Sequence, residues 1–287
     1  MTIWNLGSIN IDMVYDVPHL PAPGETLAAN GLTRGLGGKG ANMSVAAARA
    51  GARVAHVGAV GADGRWAVER MMEYGVDTRF IAEVDAPTGH AIISVDAAGE
   101  NQIVILGGAN RALPGDLVGR ALSDAAAGDM FLTQNETSVQ IEAAQMARDM
   151  GLHIAYAAAP FDAEAATAIL PFLDLLVLNA VEAEQLQAAT GLAPGNLPVS
   201  DVIVTLGAEG CRWFGAEGER EFPALKVTAV DTTGAGDTFT GYVAAGLDRG
   251  LPMPQAIAQA QRAAAIMVTR HGTADVIPDL KDVQAGL

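Results

Sequence analysis

From Pro114 onward, short apolar runs of strand length alternate with helix-length segments. The strand-like runs are Met130–Thr133, His153–Ala157, Leu175–Leu178 and Val202–Leu206. The helical runs lie around Asp116–Ala126 and at Val139–Met150, Ala163–Leu170 and Glu182–Thr190. Helices of this length between strands imply parallel pairing, so the chain is expected to form a layered α/β fold. In such folds ligands gather at the carboxyl ends of the strands. Polar residues stand at those ends: Gln134, Asn135 and Glu136 after the first run, Asn179 and Glu182 after the third, Thr205 and Gly207 after the fourth.

A glycine-rich turn follows at Val230–Thr240, V-D-T-T-G-A-G-D-T-F-T, after a strand-like run at Lys226–Val230. Phe239, Val243 and Leu247, spaced four apart, mark one face of a helix beginning there. Strand, turn and helix N-terminus together aim backbone N–H groups and the positive end of the helix dipole at one spot. Gly234 and Gly236 keep it clear of side chains. Asp237 stands in the first turn, where a carboxylate can cap the helix or serve as a general base beside an anion hole.

The N-terminal part is less regular. Ile3–Gly7 reads as a strand and Met13–Val17 as another, with a proline-rich excursion at His19–Gly24 and a weak strand at Thr26–Arg34. Between them Asn10 and Asp12, two apart, either make a turn or face a polar ligand on one side. Gly35–Asn42 formally matches G-x-G-x-x-G, but it does not follow the first strand as a dinucleotide fingerprint requires. Nor is it a Walker A loop, because Gly40 follows Lys39. What remains is a flexible turn presenting Lys39 and Asn42 at the start of the helix Ala41–Ala50. Gly89–Asp96 and Asn101–Leu106 read as a β-hairpin. With the first excursion it is expected to form a small projecting sheet, a lid if it lies over a site.

The formal net charge of −16 argues against a nucleic-acid or anionic-membrane surface. A local nest of N–H groups can still bind a small phosphate in so acidic a chain. No apolar run approaches the ~18 residues of a membrane span, and Met1–Asp12 lacks the pattern of a signal peptide. The one cysteine, Cys211, fits a reducing cytoplasm and is expected to be a small buried hydrophobe. The histidines have neither metal-ligand spacing nor a triad motif.

Five blocks occur in order: Gly7–Asp12, Gly37–Asn42, Asn179–Glu182, Thr205–Gly210 and Asp231–Asp237. Together they resemble the signature blocks of the ribokinase/PfkB carbohydrate kinase family. Pro87-Thr88-Gly89, Gly99-Glu100-Asn101 and Gly108-Ala109-Asn110 add blocks that resemble the family's lid region, and the likeness runs over essentially the whole chain. The resemblance implies a single three-layer α/β domain over 1–287, with a mostly parallel central sheet, helices on both faces and a small β lid near 13–34 and 88–108. It implies ATP-dependent phosphorylation of a primary alcohol of a sugar, D-ribose foremost. Fructose, 2-keto-3-deoxygluconate or a nucleoside are alternatives, and a non-catalytic sensor on the same fold is a further one.

By position, Asp237 would be the base, and the N–H groups of Gly234, Ala235, Gly236 and Asp237 the anion hole, with the helix dipole keeping Asp237 ionised. Asn10, Asp12, Gly38, Lys39, Asn42 and Glu136 match sugar-binding positions. Asn179, Glu182, Thr205, Gly207, Gly210 and Gly236 match the ATP site, with Glu182 near Mg²⁺ through water. Asp231 and the carbonyls of Thr233, Met267, Arg270 and Gly272 resemble a monovalent-cation site, for K⁺ foremost. Two positions depart from the pattern: Met43 stands where members usually carry Gln, and Val276 replaces a serine that contributes an oxygen to the cation site. A homodimer through the β lid is expected.

Overall fold

The computed structural model describes residues 1–285, so the last two residues of the domain expected over 1–287 lie outside the described ones. The strands are β1 (Thr2–Leu6), β2 (Asn10–Asp16), β3 (Gly31–Gly37), β4 (Arg53–Val60), β5 (Asp77–Glu83), β6 (Gly89–Val95), β7 (Asn101–Leu106), β8 (Met130–Gln134), β9 (His153–Ala157), β10 (Leu175–Asn179), β11 (Asp201–Thr205), β12 (Gly210–Gly215) and β13 (Gly218–Pro223). The helices are α1 (Lys39–Arg49), α2 (Arg65–Glu73), α3 (Leu117–Leu122), α4 (Gln140–Asp149), α5 (Ala163–Ile169), α6 (Ala180–Thr190), α7 (Ala235–Asp248), α8 (Met253–Met267) and α9 (Leu280–Ala285).

One sheet has 9 strands in the order β13-β12-β11-β10-β9-β8-β1-β4-β5. It is parallel from β11 to β5, and β12 and β13 add an antiparallel edge. Its residues alternate between two cores, as a sheet covered on both faces demands. Ile3, Leu132, Val177 and Ile203 face the core shared with α1, α2, α7, α8 and α9. Trp4, Phe131, Leu176 and Val202 face the core shared with α3, α4, α5 and α6. Cys211 is buried in the first core, as expected, and so is Met43. No described helix is long and apolar enough to cross a membrane.

The second sheet has 4 strands in the order β3-β2-β6-β7. It begins at Asn10, so Asn10 and Asp12 lie within a strand rather than a turn, paired across to Gly37 and Gly35 and to Gly89 and Ala91. Other differences have simple causes. β5, β12 and β13 escape a search for apolar runs because charged residues interrupt them; Arg212 reaches Glu221 at 3.0 Å across the outer hairpin. The run Lys226–Val230 forms no strand and instead walls a cleft. The helix expected around Asp116–Ala126 is only the six-residue α3.

Beneath the junction of β1 and α1 lies a buried polar network. His56 donates from Nε2 to the Gly7 carbonyl at 3.0 Å. Its Nδ1 therefore accepts from Ser44 Oγ at 2.8 Å. Ser44 Oγ in turn accepts from Asn5 Nδ2 at 2.8 Å, and the same nitrogen donates to the Gly40 carbonyl at 2.8 Å. Gln134 closes the chain by donating to Asn5 Oδ1 at 2.8 Å. The side chains of Asn5, Ser44, His56 and Gln134 are fully buried. The backbones meet where only glycine fits: a Cβ on Gly40 would stand 2.4 Å from the Gly7 Cα.

Burial pushes the His56 pKa down from 6.5 to about 4. The folded protein thus holds it neutral, whereas the unfolded chain takes up a proton near 6.5. Its stabilising effect is complete above pH 6.5 and is lost as pH falls toward 4, by roughly 3 kcal/mol in total. In His56→Gln, stability measured by denaturant unfolding between pH 7 and 4 is expected to fall less steeply than in the wild type. Equal slopes would show that His56 does not carry this dependence.

Candidate active site

The amino ends of α1 and α7, the carboxyl end of β8 and strand β2 converge on one cluster. Asn42, on α1, donates from Nδ2 to Asp237 Oδ2 at 2.9 Å. Asp237, in the first turn of α7, is 8% exposed. Glu136, just past β8, accepts at Oε2 from Ser8 Oγ and from the Lys39 backbone N–H at 3.2 Å. Ser8 Oγ also takes the Gly40 N–H at 3.2 Å. Gly38 precedes α1, with φ at 92°.

Electrostatics show how close these groups stand. Burial, then Glu136 and Asp237, raise the Asp12 carboxyl to about 6. Asp237 raises the Lys39 ammonium most, with burial opposing and Glu136 and Glu182 assisting. Asp237 itself is pushed up by burial; Lys39 and the Asn42 amide oppose this, and Glu136 adds to it. The helix terminus alone, read from sequence, keeps Asp237 ionised. Burial among carboxylates works the other way, and Lys39 is the main counterweight.

The turn before α7 also differs from expectation. Gly234, at φ 77° and ψ 3°, is the third residue of a type II turn. The Ala235 N–H closes that turn on the Thr232 carbonyl at 3.2 Å, so it is engaged rather than free. Among the described residues, no acceptor takes the N–H groups of Gly234, Gly236 or Asp237.

Gly236 also lines a cleft of about 500 Å³, with Thr205, Gly207 and Gly210 among its other residues. Leu225, Val227, Ala264 and Val268 make its walls apolar. Asn179 and Glu182 form a capping box at the start of α6, each side chain 2.8 Å from the other's backbone nitrogen. Burial raises the Glu182 pKa, while the Asn179 N–H and Lys39 lower it.

Asp231 accepts from the Thr233 N–H at 2.9 Å and from the Gly272 N–H at 3.2 Å, tying two segments together. Burial opposes its ionisation, but these N–H groups hold its carboxyl below the usual value. Among the described residues, no N–H donates to the carbonyls of Thr233, Arg270 or Gly272, whereas that of Met267 accepts from Arg270 at 3.0 Å. Carboxylate and free carbonyl oxygens suit a hard cation. Val276 offers only methyl groups beside Gly272.

The family model described as pfkB family carbohydrate kinase matches residues 2–280. The chain belongs to the pfkB family of carbohydrate kinases. It is 37% identical to the ribokinase of Haemophilus influenzae over 96% of this chain and 95% of that one. The solved ribokinase of Thermotoga maritima superposes with a TM-score of 0.88 at 33% identity, covering 99% of this chain and 98% of that one. An Arabidopsis thaliana ribokinase solved with ribose and ATP gives 0.85 at 27% identity, covering 99% and 97%.

Two members of the kinase's cluster were not foreseen as site residues. Ser8 holds Glu136, and Asn110 is bonded to Asn10. Both lie inside quoted sequence blocks, but nothing in a linear pattern reveals a hydrogen bond across 100 residues or more. Lys39→Met is expected to raise the Asp237 pKa further, measured by carbon NMR titration of the labelled carboxyl. An unchanged or lowered value would show that Lys39 is not its principal counter-charge.

Proposed function

We propose that this kinase transfers the γ-phosphoryl group of ATP to the primary alcohol of a sugar, D-ribose foremost. The observation that carries the reading is the position of Asp237: buried, bonded to Asn42 of the polar cluster, and next in the chain to Gly236, which lines the cleft. Asp237 takes the proton of the attacking hydroxyl. Asn10, Asp12, Gly38, Lys39, Asn42 and Glu136 hold the sugar, since amides and carboxylates match its hydroxyls. The free N–H groups of Gly234, Gly236 and Asp237 stabilise charge developing on the transferred group. Ala235 shapes the turn that aims them.

The cleft takes the nucleotide, with Thr205, Gly207 and Gly210 along it and Asn179 and Glu182 toward the phosphates. Glu182 would hold Mg²⁺ through water, and the bound ion would supply neutralising charge for the phosphates. Asp231 and the carbonyls of Thr233, Met267, Arg270 and Gly272 would hold K⁺, with one oxygen fewer than the family pattern at Val276.

The segments near 13–34 and 88–108 act as the lid of a single domain. β7 is an edge strand, and Val104 and Ile105 on it are each 62% exposed. An apolar edge of this kind is prone to pair with another chain, which supports a homodimer through the lid. The single buried cysteine fits a cytoplasmic setting.

A coupled ADP-release assay over ribose, other sugars and nucleosides tests the activity. Asp237→Asn should lower kcat on the best substrate by ~10²–10⁴-fold; undiminished turnover would remove Asp237 as the base. With Asp12 accepting from the sugar, kcat/KM should fall as pH drops through about 6, and Asp12→Asn should lose that KM dependence. Sedimentation showing a monomer at working concentration would overturn the dimer.

A further inference from the structure

Asn110 sits in a short 3-10 turn, Gly108–Arg111, directly after β7, and is 2% exposed. Its Oδ1 accepts from the Ile9 backbone N–H at 2.9 Å. A backbone N–H can only donate, so this bond fixes which end of the Asn110 amide is oxygen. Nδ2 must then point the other way, where it donates to Asn10 Oδ1 at 2.8 Å and to the Ile9 carbonyl at 3.3 Å. The orientation passes from a main-chain group through one amide to the next. Asn10 has its oxygen engaged, so its Nδ2 is the end left for a ligand.

The surroundings are built to permit this. Asn10 pairs with Gly37 on one side and Gly89 on the other. A Cβ on Gly89 would stand 2.2 Å from Asn110 Nδ2 and 2.4 Å from Asn10 Oδ1. The Asn10–Asn110 bond therefore exists only because β6 is bare at that point.

We infer that Asn110 is a positioning residue that sets the hydrogen-bond polarity of the sugar site. It turns Asn10 into an obligate donor. Two residues along the same strand, Asp12 offers acceptors once ionised. A sugar then meets a donor and an acceptor two residues apart on one strand. It must present a lone pair to the first and a hydroxyl hydrogen to the second. A ligand carrying an ammonium group at the Asn10 position is rejected, because donor would face donor. This rests on the reading of Asn10 as a sugar-binding residue.

Asn110→Asp tests the inference with little change of shape. One carboxylate oxygen keeps the Ile9 N–H. The other replaces the donor that faced Asn10, so the Asn10 amide rotates and presents oxygen to the sugar. The expected result is a rise of about tenfold in KM for the sugar with kcat within about threefold of wild type, since the reacting groups are untouched. Asn10→Ala should raise KM similarly. The double variant Asn10→Ala/Asn110→Asp should be no worse than Asn10→Ala alone, because Asn110 acts only through Asn10. Thermal unfolding of each variant checks the fold. If Asn110→Asp fails to fold, Asn110→Ser serves: its shorter side chain withdraws the donor from Asn10, and the same non-additivity is expected.

Independent, additive rises in KM would show a merely structural role and overturn the inference, as would an unchanged KM in the single variants at position 110. A wild type that turns over no sugar at all would instead overturn the functional reading, and this inference with it. A wild type active on sugars with additive variants would leave the kinase reading standing.

Discussion

His56, Ser44, Asn5 and Gln134 form an unbroken line of hydrogen bonds under the first turn of α1, and the site depends on that line being intact. It links strands β1, β4 and β8 to the helix that carries Lys39 and Asn42. In a low-dielectric interior each bond strengthens its neighbours, and each unmade one costs the desolvation of a buried polar group. The direction of every donor follows from two fixed points, the Gly7 and Gly40 carbonyls. The Gly7–Gly40 contact brings helix and strand within backbone distance, which seats the start of α1 against the end of β1. Ser8, next along the chain, then bonds Gly40 and Glu136 together. The clamp below and the polar cluster above are continuous.

The cluster itself is a problem of like charges. Asp12, Glu136 and Asp237 share one neighbourhood with Lys39, and burial raises the carboxyl groups of Asp12 and Asp237. Raised carboxyl groups are poor ligands at acid pH and better bases at neutral pH, which suits proton abstraction from an alcohol. The Asn42 amide and the Lys39 ammonium set the upper bound by favouring the ionised form of Asp237. The free N–H groups at the head of α7 lie beside this carboxylate, so the proposed base and the proposed anion-binding groups come from a single turn.

Much of this was legible in the residues. The alternation after Pro114 predicted the parallel sheet, since a strand-to-strand crossover through a helix has few other solutions. The glycine-rich turn predicted a helix N-terminus with open amides, and the polar residues at strand ends marked the side of the sheet where they gather. Asn10, Lys39, Asn42, Glu136 and Asp237 stand out from four separate parts of the chain. Less was legible where signals are weak or long-range. β5 and the hairpin β12–β13 carry too many charges to stand out as apolar runs. Ser8 and Asn110 look like ordinary turn residues until the fold brings Glu136 and Asn10 against them.

What the sequence determined by itself, then, was the architecture and the identity of the groups, because periodicity, glycine placement and residue chemistry are local properties. The tertiary structure decided three things. It placed Asn10 and Asp12 in a strand of a second sheet, because β3 and β6 supply partners from distant segments. It engaged the Ala235 amide in a type II turn, because Gly234 takes a positive φ. It reversed the direction in which Asp237 shifts, because burial and neighbouring charge depend on distances in space, and the order of residues along a chain does not contain them.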